Sequence, residues 1–295
     1  MTPVHVVLRA HNDMPLIADT LRNLQRQQHP MLLVAFDNAS TDGTLEEIRK
    51  YTDRIHNVPA GAYVPGRVLN QAMAATEGDF VVFVNSDCTP QNDFMLSALL
   101  AGFHRDPSSG EKVAAVFGRQ APRPDCRPLM AKDTEDTYGD GSRQRYWRHC
   151  FSMAVSAIRR SVWEQMPFRE DIQYSEDIDW TWQARRKGYA IEYARDAIVM
   201  HSHNYTLSQF HKRQFGEGRA EARIFDWTPW ERSLVRYSLL PYMRQVASDW
   251  KYCLGRKLVG EAFYSPVLRM AQLAGRRRGF MSALRESRSV ASVQE

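Results

Sequence analysis

Three acidic clusters carry the chemistry that this chain advertises. The first, Asp37-Asn38-Ala39-Ser40-Thr41-Asp42-Gly43-Thr44, follows the apolar run 32–36 and precedes Leu45-Glu46-Glu47-Ile48. A carboxylate at the end of a buried strand, followed by capping residues, marks a strand-to-helix corner. In open α/β sheets ligands bind at such corners. Asp37 there can accept hydrogen bonds from a base or a ribose, or it can cap its own turn. The second cluster, Asn85-Ser86-Asp87, follows 80–84, the clearest buried strand of the chain. A carboxylate just past a strand end can meet a divalent cation, and Mg²⁺ needs only one or two carboxylates when phosphate oxygens and water complete its shell. The bland alternative is that Asn85 and Asp87 cap the next turn. The pairing of Asp87 with Asp37 on a neighbouring strand end favours the metal.

The third cluster, Glu176-Asp177-Ile178-Asp179, opens a helix, where negative charge is stabilised by the helix dipole. A carboxylate in that place can also take the proton of an attacking sugar hydroxyl. Trp180 and Trp182 fit an apolar wall for a sugar ring and the protein core equally well. His201-Ser202-His203 follows. On an extended segment alternate side chains share a face, so either imidazole can complete a metal site or meet a diphosphate. Gly61-Ala62-Tyr63-Val64-Pro65-Gly66-Arg67 runs into a helix N-terminus, where backbone N–H groups can meet phosphate and Arg67 adds charge. It is neither a dinucleotide fingerprint nor a P-loop. Together these clusters point to an enzyme that handles nucleotide sugars.

The elements that position them alternate. Residues 4–8 read as a first strand, with Asn12 or Asp13 capping a helix that carries Leu16, Ile17, Leu21 and Leu24. Residues 45–51 read as a helix, 54–58 as a short strand and 66–73 as a helix. Residues 113–117 and 151–158 read as strands and 122–141, with three prolines, as a loop. Residues 177–187 are helical, and 190–193 and 197–200 are short strands. Such alternation implies a mostly parallel sheet covered by helices on both faces. Beyond 205 the pattern changes to helices at 206–225, 231–254 and 256–284, with a polar, frayed tail after 285. The expected division is therefore a catalytic domain at 1–205 and a helical region at 206–295.

Composition narrows the class. At 295 residues the chain can bury a full core, and its net charge of +5 suits an anionic partner such as a nucleotide diphosphate. The four cysteines show no CxxC spacing, which excludes a zinc knuckle or disulfide framework and fits a reducing cytosol. No signal-peptide pattern and no stretch of roughly 18 apolar residues is present, so the expected location is cytoplasmic. Nucleic-acid binding would rest on Arg276-Arg277-Arg278 alone, a run that reads as a solvated face.

The order of these motifs resembles that of family 2 glycosyltransferases of the GT-A, Rossmann-like fold over residues 4–205. Gly118-Arg119-Gln120-Ala121-Pro122-Arg123-Pro124 and His201-Ser202-His203-Asn204-Tyr205-Thr206, with Arg213 and Gly216, resemble the rhamnosyltransferase-like branch. The resemblance implies an inverting, metal-dependent transfer of a sugar, with rhamnose favoured, from a dTDP- or UDP-linked donor to a glycan or lipid-linked acceptor in polysaccharide synthesis. It places Asp37, Asn38, Ala10, Asn12, Gly66, Arg67, Asn85 and Ser86 on the donor. Asp87 would hold Mg²⁺ or Mn²⁺, with His201 or His203 as a late ligand. Asp177 would be the base, supported by Glu176. Asn85 stands where the family's first metal-site carboxylate is usual.

That departure supports the rival reading, a non-catalytic nucleotide- or glycan-binding module with a degenerate site. A nucleotidyltransferase is disfavoured because Arg9-Ala10-His11-Asn12-Asp13 occupies the place of a Gly- and Arg-rich triphosphate loop. In the tail, Tyr237, Leu239, Leu240, Tyr242 and Met243 with Arg232, Arg236 and Arg244 fit a membrane interface at the inner face, a face packed on the catalytic domain, or a dimer contact.

Overall fold

A computed structural model describes residues 2–104, 112–143 and 148–291. The chain divides into two compact units, one within Met1–Cys126, Ala131–Ile172 and Glu176–Ser202, the other within Arg127–Met130, Gln173–Ser175 and His203–Glu295.

The first unit is built on one eight-stranded sheet. Its strands are β1 (Val4–Ala10), β2 (Met31–Asp37), β3 (Ile55–Asn57), β4 (Phe80–Asn85), β5 (Thr89–Pro90), β6 (Val113–Ala121), β7 (Val155–Arg159) and β8 (Ala190–Met200), in the order β3-β2-β1-β4-β7-β6-β8-β5. Consecutive residues of the central strands go to opposite faces, and both faces are apolar. Val6, Leu8, Val82 and Val84 enter one buried cluster with Ile17, Leu21 and Leu24 of α1 (Leu16–Gln25). Val7, Val81 and Phe83 enter another with Val68, Leu69, Ala72 and Met73 of α3 (Pro65–Ala74). Burial on both faces is why these strands read as continuous apolar runs. The other helices are α2 (Thr44–Ile48), α4 (Met95–Ala101), α5 (Pro128–Tyr138), α6 (Arg160–Trp163) and α7 (Glu176–Arg186).

The β3-β2-β1-β4 half is parallel, as is β6 with β8, while β7 runs antiparallel to both β4 and β6 and β5 antiparallel to β8. Val155 starts β7 opposite Val84, close to where β4 finishes, and Ser156 pairs with Phe117 of β6. The 122–154 connection therefore begins and ends at the same end of the sheet, which requires an antiparallel return and no crossover.

Three local expectations change. The proline-rich 122–141 stretch is not all loop: α5 starts at Pro128, a residue suited to the first helical turn because its missing N–H would have no intrahelical acceptor. The two strands expected at 190–193 and 197–200 are one strand, β8, paired with β6 across a register shift at Gly118/Arg119. A Cβ at Gly118 would lie 2.4 Å from Ala197 O, so that close approach requires glycine. The 151–158 strand contracts to Val155–Arg159.

The second unit is helical. It contains α8 (Leu207–Ile224), a π turn at Val235–Leu239, α9 (Leu240–Gly255) and α10 (Val259–Ala291). Thr206 closes a capping box with Gln209 at the start of α8. Where a Cβ on Gly279 would meet Phe215 O at 1.9 Å, α8 and α10 approach backbone to backbone. Between α9 and α10, the fully buried Arg269 donates to both oxygens of fully buried Asp249 at 2.8 and 3.0 Å, and Ser265 donates to the same carboxylate at 2.7 Å. The helix expected to fray after 285 continues to Ala291, and the last four residues lie outside the described ones. No helix among the described residues is long and apolar enough to cross a membrane.

Candidate active site

The register brings the acidic clusters to one end of the first unit's sheet. Ala10 pairs with Asp37 and Arg9 with Asn85, so β1, β2 and β4 finish side by side. The loops leaving β1 and β2 are cross-linked. Asn38 N–H donates to Ala10 O at 2.9 Å, Asn12 N–H to Ser40 Oγ at 3.0 Å, and Thr41 N–H to Asn12 Oδ1 at 2.8 Å. Asp13 N–H donates to Thr44 Oγ1 at 2.9 Å and Met14 N–H to Asp42 Oδ2 at 3.0 Å. Asn12 and Ala39 sit at φ +54° and +51°, the left-handed turns that allow this zipper.

The two oxygens of Asp37 differ. It is 2% exposed. Oδ2 accepts Ser40 N–H at 3.0 Å and so caps the corner. Oδ1 is buried with no hydrogen-bond partner among the described residues. A buried carboxylate oxygen left unmatched is costly, and a hydroxyl or imide N–H of a bound nucleoside would relieve it.

Asp87 lies 3.3 Å, Oδ2 to Nε2, from His201. Asp87, Cys88 and His201 bring potential ligand atoms within 4.8 Å of one another. His201 Nδ1 is 2.7 Å from Gln120 Oε1, an oxygen that can only accept. Nδ1 donates to that oxygen, which leaves Nε2, turned towards Asp87, as the nitrogen that a metal would take. Burial, reinforced by the Asp87 charge, pushes the Cys88 thiol well up. Arg123 donates to Asp87 O through its guanidinium, its own N–H bonds Ser202 Oγ at 2.9 Å, and its buried Nε has no partner among the described residues. Ser86 Oγ donates to Asp13 Oδ2, which also accepts His11 N–H at 2.9 Å. Burial raises Asp13 above the usual carboxylate range against these bonds.

Asp177 stands at the first turn of α7. Its Oδ2 accepts Met153 N–H at 2.9 Å and its Oδ1 accepts Ile178 N–H at 2.8 Å. Glu176 turns to Arg9, 3.8 Å from Oε1 to Nη1, and Arg9 Nη2 donates to Asn85 Oδ1 at 2.7 Å. Beneath α7, His149 Nε2 lies 2.7 Å from Thr181 Oγ1, whose hydroxyl donates to Asp177 O at 2.7 Å. Burial, with Arg185 nearby, pushes His149 down to about 3. Burial and the Asp177 charge push Cys150 up to about 12.

Other expected contributors are engaged elsewhere. A Cβ on Gly66 would fall 1.8 Å from Arg169 O, so Gly66 serves helix packing, and Arg67 pairs with Glu170 at 3.2 Å. His203 belongs to the second unit, its ring 5.3 Å from that of Tyr205. Trp180 is core, against Phe168, and Trp182 meets the edge of His149. Four residues at this end of the sheet were given no role in the site by the sequence: Arg9, Asp13, Gln120 and Arg123. Gln120 and Arg123 lie in the Gly118–Pro124 stretch that carried the family resemblance, but no local pattern assigns either one a partner.

Comparison with known proteins identifies the family. Residues 5–166 match the profile of "Glycosyl transferase family 2". The O-antigen chain rhamnosyltransferase WbaN of Salmonella anatum is 32% identical over 205 residues, 66% of this chain and 64% of that protein. This chain thus spans just under two thirds of that relative's length. RfbN of Salmonella typhimurium, also an O-antigen chain rhamnosyltransferase, is 27% identical over 218 residues, 69% of this chain and 67% of RfbN. Among solved structures, the mannosyltransferase PcManGT of Pyrobaculum calidifontis, in complex with GDP-Man and Mn²⁺, superposes with a TM-score of 0.61 at 18% identity, covering 92% of this chain and 85% of its own. Glucosyl-3-phosphoglycerate synthase of Mycobacterium tuberculosis, with Mn²⁺, UDP and phosphoglyceric acid, gives 0.55 at 20% identity, covering 77% and 80%. The chain belongs to glycosyl transferase family 2, with the GT-A fold and relatives in the rhamnosyltransferase branch.

Proposed function

We propose that the chain is an inverting glycosyltransferase that moves a sugar, rhamnose by its similarity to WbaN and RfbN, from a dTDP- or UDP-linked donor to a hydroxyl of a glycan or lipid-linked acceptor during cell-surface polysaccharide synthesis. Donor binding and catalysis are assigned to residues 1–205. The observation that carries the reading is the convergence of Asp37, Asp87, His201 and Asp177 in one unit, at the strand ends and in the segments that follow them, with His201 Nε2 turned to Asp87.

In this reading Asp37 Oδ1 accepts from the nucleoside. Asp87 Oδ2 and His201 Nε2 hold Mg²⁺ or Mn²⁺, which when bound neutralises charge on the departing diphosphate. Arg123 adds a fixed positive charge beside it. Asp177 takes the proton of the acceptor hydroxyl, and the freed oxygen attacks the anomeric carbon from the face opposite the diphosphate. The configuration inverts in one displacement. The non-catalytic alternative drew on Asn85, whose side chain has a structural occupation in Arg9.

The α9–α10 hairpin supports a cytoplasmic enzyme held at the inner face of the membrane. Leu239, Met243 and Leu254 (75% exposed) on one arm and Val259, Phe263 (80% exposed) and Val267 on the other are open. Exposed Arg236, Arg244, Lys251, Arg256 and Lys257 lie among them, whereas the two carboxylates of this stretch are covered: Asp249 is buried and Glu261 half-buried. Apolar residues ringed by cations match an anionic lipid surface. A second copy would set like charges against like.

The decisive experiment is thermal unfolding with a panel of nucleoside diphosphates, with and without Mn²⁺, followed by turnover with the matching donor. A metal-dependent rise in melting temperature that is lost in Asp87→Ala is expected. Asp177→Asn should keep that rise while losing a factor of about 10² to 10⁴ in kcat. A folded chain that no nucleotide stabilises would favour the non-catalytic module.

A further inference from the structure

Asn85 ends β4 two residues before Asp87, and its side chain is engaged by Arg9. Arg9 and Asn85 are register partners on adjacent parallel strands, so their side chains share a face. Asn85 presents its only acceptor, Oδ1, to Arg9 Nη2 at 2.7 Å. The bond holds the neutral amide of Asn85 against the guanidinium. The other arm of the same guanidinium, Nη1, reaches Glu176 Oε1 at 3.8 Å, and the side chains of this pair are each 11% exposed. One buried cation therefore joins the end of β4, two residues before Asp87, to the first turn of α7, one residue before Asp177.

We propose that Asn85, Arg9 and Glu176 form a positioning clamp, in which Arg9 sets the separation between the Asp87 turn and the Asp177 turn and Asn85 must be neutral for it to work. The inference rests on the glycosyltransferase reading of Asp87 and Asp177. With asparagine at 85 the buried set carries one positive and one negative charge. Aspartate there would compete for Arg9 through a charge-assisted bond and weaken its hold on Glu176. The clamp would slacken, although the substitution restores the more familiar acidic residue. Arg9 and Asn85 are positioning residues in this scheme, since neither touches the reacting atoms.

The test compares wild type, Asn85→Asp, Glu176→Gln and the double variant Asn85→Asp/Glu176→Gln, which exchanges the neutral and charged ends of the clamp. Steady-state kinetics are measured with donor and Mn²⁺ varied independently. Asn85→Asp should lower kcat at least about tenfold, with donor KM and the Mn²⁺ concentration for half-activity little changed. The double variant should recover most of that loss. An Asn85→Asp enzyme with unchanged or higher kcat, or a double variant no faster than Asn85→Asp, overturns the clamp. Wild type that turns over no donor would instead remove the glycosyltransferase reading. The clamp is then read from urea unfolding of the same four proteins. A double variant more stable than Asn85→Asp supports it, and one of equal or lower stability overturns it.

Discussion

Small groups behind the reactive side chains decide what those side chains can do. Gln120 never reaches a substrate in the proposed mechanism, yet its oxygen holds His201 Nδ1 and so orients Nε2. Gln120→Leu should raise the Mn²⁺ requirement by about 10- to 100-fold, the usual cost of losing an outer partner of a metal-binding histidine. Metal titration of activity checks this, and an unchanged requirement would remove His201 from the ligand set. His149 bears on stability. Its folded value lies near 3 against 6.5 in the unfolded chain. Between those values the unfolded state binds a proton that the folded state does not, so stability falls as pH drops below about 6.5 and the loss is complete near 3. His149→Gln should flatten the stability curve across that window by an amount on the order of a few kcal/mol. Urea unfolding at several pH values is the measurement, and parallel curves for wild type and variant would show that His149 does not titrate in this way.

At the scale of elements, glycine marks where backbones must touch. Gly66 was expected to let a phosphate approach the start of α3, whereas its α-carbon faces Arg169 O. The two roles separate in Gly66→Ala. Packing predicts a destabilisation of about 1–3 kcal/mol, hence a fall in melting temperature of a few degrees per kcal/mol for a chain of this size, with nucleotide affinity unchanged. A phosphate role predicts weaker nucleotide binding at unchanged stability. The antiparallel β7 has its own consequence. Because the 122–154 connection returns to the end of the sheet where it began, it delivers Arg123 to Asp87 and Met153 N–H to Asp177, two contacts that a crossover connection would have carried to the opposite end.

For the whole molecule, the exposed hairpin calls for a partner surface. Co-sedimentation with vesicles should show binding to membranes rich in anionic lipid, weaker binding to zwitterionic ones, and a fall with salt as the cations are screened. Phe263→Glu with Leu254→Glu should abolish it. Binding that survives these changes would dismiss the hairpin as the membrane contact, and concentration-dependent dimerisation lost in the same variant would turn the face into a self-interface. Turnover on a water-soluble acceptor should be unaffected, because none of these residues lies in the site.

Much of this protein was written locally. The runs at 4–8, 32–36 and 80–84 are apolar throughout because both faces of those strands are covered, and the polar residues that close them had to lie at strand ends. Glu176 and Asp177 at a helix start, and the corner after Asp37, follow from capping and dipole preferences that act over a few residues. The α/β class and the positions of the acidic clusters were therefore legible in the residues. The tertiary structure decided which side chains meet. His201 and His203 are equivalent by alternation, but His201 N–H bonds Ala121 O at 2.8 Å on the sheet, while His203 lies past the end of β8 in the other unit. Arg9 lies 76 residues from Asn85 and farther still from Glu176, and only the parallel register and the placement of α7 bring the three together. Periodicity records which face a residue takes. It does not record distance between residues far apart in the chain, and the chemistry of this site depends on those distances.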